Sequence, residues 1–138
     1  MRTGSCECGQ IHFEYTGAPI KQVFCYCTDC QKRTGSDHWF GIWVPTENIR
    51  FTGDSIPMLY TTQDASGNDI HCRTCPHCGV SLSIEFTSAG FHTVAASCID
   101  NNNDLEPELA IFTFSAPKWA LLPDYIPLFD RLPPEMSG

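Results

Sequence analysis

The sequence predicts a mainly β protein made of short strands with little helix. Glycine, proline and asparagine separate short runs rich in valine, isoleucine, phenylalanine, tyrosine and threonine, a pattern typical of strands joined by turns. No segment carries a long helical period. Each candidate strand has about four to eight residues, as strands usually do. The expected strands are residues 10–15, 22–25, 38–44, 58–62, 80–86, 91–97 and 110–114.

The segments between and after these strands have their own signals. Residues 28–33 could close one helical turn, and the polar run 100–108 is expected to be a connector. Residues 116–134 contain five prolines, so this tail should run extended over the surface. Four apolar residues of the tail are expected to dip into that surface: Trp119, Leu122, Ile126 and Phe129. The polar end, residues 135–138, is expected to be disordered.

Length and charge limit the possible functions. A chain of 138 residues with 42% hydrophobic content fits a single domain, residues 1–138, whose core we expect to contain Trp39, Phe40 and Trp43. A net charge of −8 with only eight lysines and arginines argues against a nucleic-acid partner. The sequence shows neither a signal-peptide pattern nor about 18 consecutive apolar residues, so we expect a cytoplasmic protein without a membrane partner.

The nine cysteines are grouped closely, which favours metal binding over disulfides. In "CPHCG", Cys75 and Cys78 can grip one ion while Gly79 adopts the left-handed conformation that often follows. In "SCECG", Cys6 and Cys8 can converge only in a turn, because a spacing of two points side chains to opposite faces of a strand. The two pairs together would form a four-thiolate structural zinc site. The alternative is that Cys6 and Cys8 are ordinary buried thiols.

A third group, "CYCTDC", contains Cys25, Cys27 and Cys30. Three neighbouring thiols are too many for one disulfide and one too few for a closed zinc site. The fourth ligand could be water, a substrate thiol, Cys98 or a histidine, and the candidate histidines are His38, His71, His77 and His92. Strand alternation from residue 91 would place Cys98 on the face of His92, where a buried, inert thiol is the simpler interpretation. The spacing between Cys72 and Cys75 equals that between Cys75 and Cys78. Gly79 favours Cys75 and Cys78 as the metal-binding pair, because it directly follows Cys78.

Five motifs occur in order between Gly4 and Pro134: "GSCECGQIHFEY", "CYCTDCQKRTGSDHWF", "CPHCG", "SAPKW" and "LPDYIPLFD". With these motifs the chain resembles the glutathione-dependent formaldehyde-activating enzyme family, which is grouped with the centromere protein V domain. The resemblance implies zinc-bridged antiparallel sheets and two zinc ions per chain. It implies that the structural ligands are Cys6, Cys8, Cys75 and Cys78, and that the catalytic ligands are Cys25, Cys27 and Cys30.

The activity implied by the resemblance is that of a carbon–sulfur lyase or its reverse. Glutathione, the co-substrate, would add its thiolate to formaldehyde and form S-(hydroxymethyl)glutathione, so the partners are a small thiol and a small electrophile. Lys32 and Arg33 could bind the glutathione carboxylates, although solvated surface charge is the alternative. Gly35 and Ser36 could offer hydrogen-bond donors, although an ordinary turn would also explain them.

The sequence departs from the family pattern at three positions. Tyr26 stands where family members often have histidine, Ala110 where a histidine is frequent, and Cys98 where a threonine is usual. These three positions are expected in pocket elements, so they bear on the identity of the substrate more than on the fold. One alternative is therefore a family enzyme that acts on a different small molecule. Another is a noncatalytic zinc-binding interaction module, which would require a saturated second site.

Overall fold

A computed structural model describes residues 1–134 of the chain, and the predicted disorder of residues 135–138 lies outside the described residues. The chain forms two compact units. The first contains residues 1–21 and 42–104, and the second contains residues 22–41 and the chain from residue 105 onward. The expectation of a single domain stays a prediction.

No helix in the described part of the chain is long and apolar enough to cross a membrane.

The regular elements are mostly strands, which confirms the predicted fold class. In chain order they are β1 (Arg2–Ser5), β2 (Ile11–Tyr15), β3 (Lys21–Cys25), α1 (Thr28–Thr34), β4 (Trp39–Pro45), β5 (Ile49–Gly53), β6 (Met58–Gln63), β7 (Asp69–Thr74), β8 (Ser81–Phe86), β9 (Phe91–Ala95) and β10 (Leu109–Ile111). Within residues 1–134, four single-turn 3₁₀ helices lie between or after these elements: Thr46–Asn48, Ala96–Cys98, Asn102–Asp104 and Thr113–Ser115. The chain passes from the second unit into the first within β4.

The first unit contains two antiparallel arrangements of strands. β2 pairs with β1 on one side and β5 on the other, and its alternating residues Ile11, Phe13 and Tyr15 are buried. β8 pairs with β7 and β9, and β7 also pairs with β6. Leu82, Ile84 and Val94 are the most buried apolar side chains of β8 and β9. The alternation in β2 buries one face of its sheet, as expected of an antiparallel sheet that packs on a core.

The second unit is built around a parallel pair, β3 and β10, in which Val23 lies opposite Leu109 and Cys25 lies opposite Ile111. The tail then runs beside β10. The amide of Ala110 donates to the carbonyl of Pro127 at 3.0 Å, and the amide of Phe129 donates to the carbonyl of Ala110 at 2.9 Å. These bonds hold residues 127–129 of the tail beside β10, whereas turns and bends at residues 118–119, 124–126 and 130–131 interrupt the extended form that the sequence predicts for the whole tail.

Several details differ from the expectations. Strands β1, β5 and β7 were not predicted, and β9 ends at residue 95 because a 3₁₀ turn begins at Ala96. β10 ends at residue 111 because Phe112 takes a left-handed conformation with φ of 56°. The tail prediction is wrong for Trp119 and Leu122, whose exposed fractions are 68% and 41%. Among the expected core aromatics, Trp39 is buried, whereas Phe40 and Trp43 are only partly covered.

Candidate functional site

Four cysteine sulfurs of the first unit meet in one cluster. All of them lie within 4.8 Å of one another. The Sγ atoms of Cys6 and Cys8 are 3.7 Å apart, and those of Cys8 and Cys75 are also 3.7 Å apart. Tetrahedral Zn–S bonds of about 2.3 Å place the sulfurs about 3.8 Å apart, so the four side chains fit a closed zinc site. The fourth member of the cluster is Cys78. These four cysteines are the set that the sequence predicts.

Two tight turns bring these sulfurs together. Gly9, with φ of 78°, lets the chain reverse after Cys6, whose amide donates to the carbonyl of Ile11 at 3.1 Å. Gly79, with φ of 80°, closes the second turn by donating to the carbonyl of Cys75 at 2.9 Å. Both glycines adopt a backbone conformation that other residues rarely take. The predicted convergence of Cys6 and Cys8 in a turn is therefore confirmed.

Backbone amides surround the sulfurs of this cluster. The amide of Ile11 lies 3.4 Å from the Cys6 Sγ, and the amide of His77 lies 3.4 Å from the Cys75 Sγ. The amides of Cys8 and Val80 lower the pKa of the Cys78 thiol to about 6. Burial opposes ionisation of Cys6, but the amide of Ile11 and the neighbouring thiols outweigh it and lower the pKa of that group. Cys6 and Cys78 thus favour the thiolate form that binds zinc. At Cys8 the amide of Gln10 acts in the same direction, but burial and the neighbouring thiols outweigh it and raise the pKa to about 12.

Three further sulfurs converge in the second unit. Cys25 ends β3, Cys27 is the N-cap of α1, and Cys30 lies in the first turn of that helix. Their Sγ atoms lie within 4.8 Å of one another. The Cys27 sulfur accepts a hydrogen bond from the Cys30 amide at 3.3 Å, so the same atom caps the helix and belongs to the cluster.

The protonation of these three sulfurs is strongly coupled. Contacts with the thiols of Cys25 and Cys30 lower the pKa of Cys27 to about 3. The contact with Cys27 raises the pKa of Cys25 to about 12, and the other two sulfurs hold the pKa of Cys30 far above its usual range. One thiolate therefore forms readily, whereas two more would repel it at this distance. A bound divalent cation would relieve the repulsion, so the donor set fits a metal with three thiolate ligands.

Comparison with known proteins shows what the chain is similar to. The family model described as glutathione-dependent formaldehyde-activating enzyme matches residues 1–115. The chain belongs to this family. A solved structure of a Rhodobacter sphaeroides protein superposes with a TM-score of 0.57 at 17% identity, covering 74% of this chain and 91% of that one, and at this identity the likeness concerns the fold. No curated protein matches the chain.

The four residues predicted to bind substrate lie at the end of α1. Arg33 places its Nη1 atom 4.0 Å from the Cys30 Sγ. Lys32 is exposed, and Gly35 is the left-handed C-cap of the helix with φ of 71°. The Ser36 hydroxyl donates to the carbonyl of His38 at 2.9 Å. The conformation of Gly35 and the hydrogen bond of Ser36 are those of an ordinary turn at a helix end, which is the alternative interpretation of these two residues. Their role in substrate binding stays a prediction.

Each histidine that the sequence offers as a fourth ligand has a polar neighbour at one ring nitrogen. His38 Nδ1 lies 2.6 Å from the Asp37 carboxylate, and His77 Nε2 lies 2.9 Å from the Ser55 hydroxyl. The other pairs are His71 with Thr61 at 3.0 Å and His92 with Ser83 at 3.2 Å. The contact between Asp37 and His38 was not predicted from the sequence. The signal that could have indicated it is the adjacent aspartate and histidine shortly after the cysteine motif.

The departures from the family pattern occupy defined positions. Tyr26 is buried and its ring centroid lies 5.2 Å from that of His38. Burial, followed by the charge of Asp37 and by Tyr125, raises the pKa of Tyr26 to about 12, so its hydroxyl stays protonated at neutral pH. Ala110 is fully buried in β10, where its backbone holds the tail.

The two remaining cysteines lie in the first unit. Cys72 is buried in β7 opposite Ile84, outside the four-cysteine cluster, as the argument from Gly79 predicts. Cys98 ends a 3₁₀ turn, so the strand alternation used to place it does not reach this residue. Burial raises the pKa of Cys98 to about 11, with smaller effects from Cys6 and Cys78 of the four-cysteine cluster. Its role as a fourth ligand of the three-cysteine cluster stays a prediction.

Proposed function

We propose that the protein is a zinc-dependent carbon–sulfur lyase, or catalyses the reverse reaction, and that it forms or breaks a glutathione adduct of formaldehyde or another small electrophile. The observation that supports this proposal most directly is the cluster of Cys25, Cys27 and Cys30, because its three sulfurs are one fewer than a closed zinc site requires. Membership of the glutathione-dependent formaldehyde-activating enzyme family supports the substrate class.

The reaction needs no redox partner. Zinc held by the three thiolates would supply a Lewis acid with one coordination position left for a substrate thiolate. In the synthetic direction, the glutathione sulfur forms a bond to the carbonyl carbon of the aldehyde while the π pair of the carbonyl moves to oxygen. The thiol proton ends on that oxygen and gives a hydroxymethyl thioether. The lyase direction reverses each of these changes.

The chain's own residues would hold and orient the thiol substrate. Arg33 brings positive charge to the rim of the cluster and helps to lower the pKa of Cys27, after the larger contributions of Cys25 and Cys30. With Lys32 it forms the basic last turn of α1, which suits the two carboxylates of glutathione. Tyr26 lies between two of the ligands in the sequence, and its buried ring packs against His38 and Phe24.

A second candidate is a family enzyme that acts on a different small adduct. It is favoured by Tyr26, because a buried hydroxyl whose pKa is raised to about 12 cannot act as a base at neutral pH as a histidine at that position would. Turnover measurements on a series of glutathione adducts separate the two candidates. Preference for formaldehyde supports the first, and preference for a larger electrophile supports the second.

Calorimetry with glutathione and S-methylglutathione tests the proposal. We expect glutathione to bind at least about tenfold more tightly, because a thioether is a poor zinc ligand. Cys27→Ser should abolish this difference between the two ligands. Because thiols add to formaldehyde unaided, catalysis is measured as the exchange rate above the protein-free reaction. Equal affinity for both ligands would contradict a sulfur–zinc anchor and point to a peptide pocket in which zinc plays no part in recognition.

A further inference from the structure

Strand β6 is an open edge of the first unit. It pairs with β7 in an unbroken register from Met58 opposite Thr74 to Gln63 opposite Asp69, and among the described strands it is the last in its sheet. Its side chains are exposed except that of Thr62, which is partly covered. Leu59 and Tyr60 have exposed fractions of 53% and 61%. Apolar side chains and a strand edge are thus both open to solvent.

The hairpin at the end of β6 determines which backbone groups are unpaired. The amide of Asp64 donates to the carbonyl of Asn68 at 2.9 Å, so these two residues form a hydrogen-bonded pair. Hydrogen-bonded and non-hydrogen-bonded pairs alternate along an antiparallel ladder. Thr62, Tyr60 and Met58 therefore direct their backbone groups toward β7. The N–H and C=O groups that point away from the sheet belong to Leu59, Thr61 and Gln63.

The usual devices that prevent edge pairing are missing from β6. Exposed edges are normally interrupted by lysine, by proline or by a bulge. The strand "MLYTTQ" contains no charged residue and no proline. The register shift at Arg73 and Thr74 lies between β7 and β8, away from the edge. Ile56, with an exposed fraction of 85%, adds apolar surface just before the strand.

We propose that β6 pairs with β6 of a second copy of this chain, antiparallel, about a two-fold axis at Thr61. In this register Thr61 faces the partner's Thr61, and Leu59 faces the partner's Gln63. Each strand offers three outward donors and three outward acceptors, so about six main-chain hydrogen bonds form. Tyr60 faces the partner's Thr62, an aromatic and β-branched pair of the kind that stabilises sheets.

Charge and symmetry select a second copy as the occupant. Each chain carries a net charge of −8, so a contact between two copies meets the least repulsion where acidic residues are absent from it. β6 is such a segment, and its outward groups repeat at every second residue, which makes the strand complementary to itself. A six-residue pairing buries less than the roughly 1,200 Å² of a standard interface, so the dimer should depend on concentration.

A charge-swap experiment on the full chain tests this interface. Sedimentation equilibrium should show a monomer–dimer equilibrium for the wild type. Thr61→Lys and Thr61→Glu should each raise the dimer dissociation constant by about tenfold or more, because like charges would face each other across the axis. An equimolar mixture of the two variants should restore dimerisation. Leu121→Lys places the same charge on a leucine that is 90% exposed in the second unit, and it should change nothing.

Hydrogen exchange provides a measurement that needs no variant. Raising the concentration of the wild type should slow exchange at the amides of Leu59, Thr61 and Gln63, whereas Tyr60 and Thr62 are already paired with β7. A monomer at every concentration would overturn the proposal. A dimer that is unaffected by the Thr61 variants, or that is equally weakened by Leu121→Lys, would also overturn it by assigning the contact to another surface.

Discussion

His92 is a buried histidine with an unusual environment. Its Nδ1 atom lies 3.2 Å from the Ser83 hydroxyl and its Nε2 atom lies 3.8 Å from the Glu85 carboxylate. Burial, followed by the charge of Arg73, lowers the pKa of His92 to about 4, although Glu85 opposes the shift. Serine, histidine and carboxylate in contact suggest a hydrolytic triad, but the Ser83 side chain is fully buried. The three residues therefore form a structural network in which the imidazole stays neutral.

This network should make stability depend on pH. The pKa of His92 is about 6.5 in the unfolded chain and about 4 in the folded one, so the unfolded state gains a proton first as the pH falls. The stabilisation is complete above pH 6.5 and is lost between pH 6.5 and 4, with about 2 kcal/mol lost between pH 7 and 5. Urea unfolding at both pH values should show this loss in the wild type and not in His92→Gln. Other titrating groups, including the clustered cysteines, affect both proteins, so an equal loss in the two would contradict the prediction.

At the scale of elements, α1 begins at Cys27, a member of the three-cysteine cluster. The Cys27 sulfur accepts the Cys30 amide as an N-cap does, and Gly35 ends the helix in a left-handed conformation. Gln31 fastens the helix by donating from Nε2 to the carbonyls of Tyr26 and Ser115, at 2.8 and 3.1 Å. The helix therefore has contacts that do not depend on the metal, and removal of the metal should leave it folded.

Two substitutions of one residue separate capping from metal binding. Serine is among the best N-cap residues and alanine among the poor ones. Cys27→Ser should therefore keep the stability of the metal-free protein nearly unchanged, whereas Cys27→Ala should lower it by about 1 kcal/mol. Both variants should lose metal at the three-cysteine cluster to the same extent. Denaturant unfolding and metal titration measure the two effects, and equal stability of the variants would show that the sulfur does not act as a cap.

At the scale of the whole molecule, the two cysteine clusters differ in what they connect. The three-cysteine cluster joins residues within one short segment, from Cys25 to Cys30. The four-cysteine cluster joins Cys8 to Cys75, 67 residues further along the chain. A bound ion there closes a long loop, and structural zinc contributes on the order of 10 kcal/mol to folding in small domains. The two clusters should therefore respond very differently to loss of a ligand.

Metal content and expression test this difference. The purified wild type should contain two zinc ions per chain by elemental analysis. Cys75→Ser should abolish soluble expression or cost several kcal/mol, because three ligands would remain for a site that closes the long loop. Cys27→Ser should remain folded with about one zinc ion per chain. Equal collapse of both variants, or a wild type without zinc, would contradict the assignment of a structural and a catalytic cluster.

The sequence by itself determined the fold class and the membership of both cysteine clusters. Spacings of two and three residues keep the cysteines of each motif close through covalent geometry, and Gly9 and Gly79 provide the turns that those spacings require. No local rule connects two motifs so far apart in the chain. The joining of Cys6 and Cys8 to Cys75 and Cys78 followed first from ligand counting, because a closed zinc site needs four ligands, and then from the family resemblance.

Only the tertiary structure decided which polar segments become strands and which apolar residues are covered. β7 reads as "DIHCRT" and was missed, because its polar residues find partners only across the sheet, as Arg73 does with Glu85 at 2.7 Å and His71 does with Thr61. Trp119 remains exposed in a tail whose backbone is held further along by β10. The spacing of the cysteines within each motif is a local property, so the sequence determines it directly. Burial and strand pairing depend on neighbours that are distant along the chain, so they require the tertiary structure.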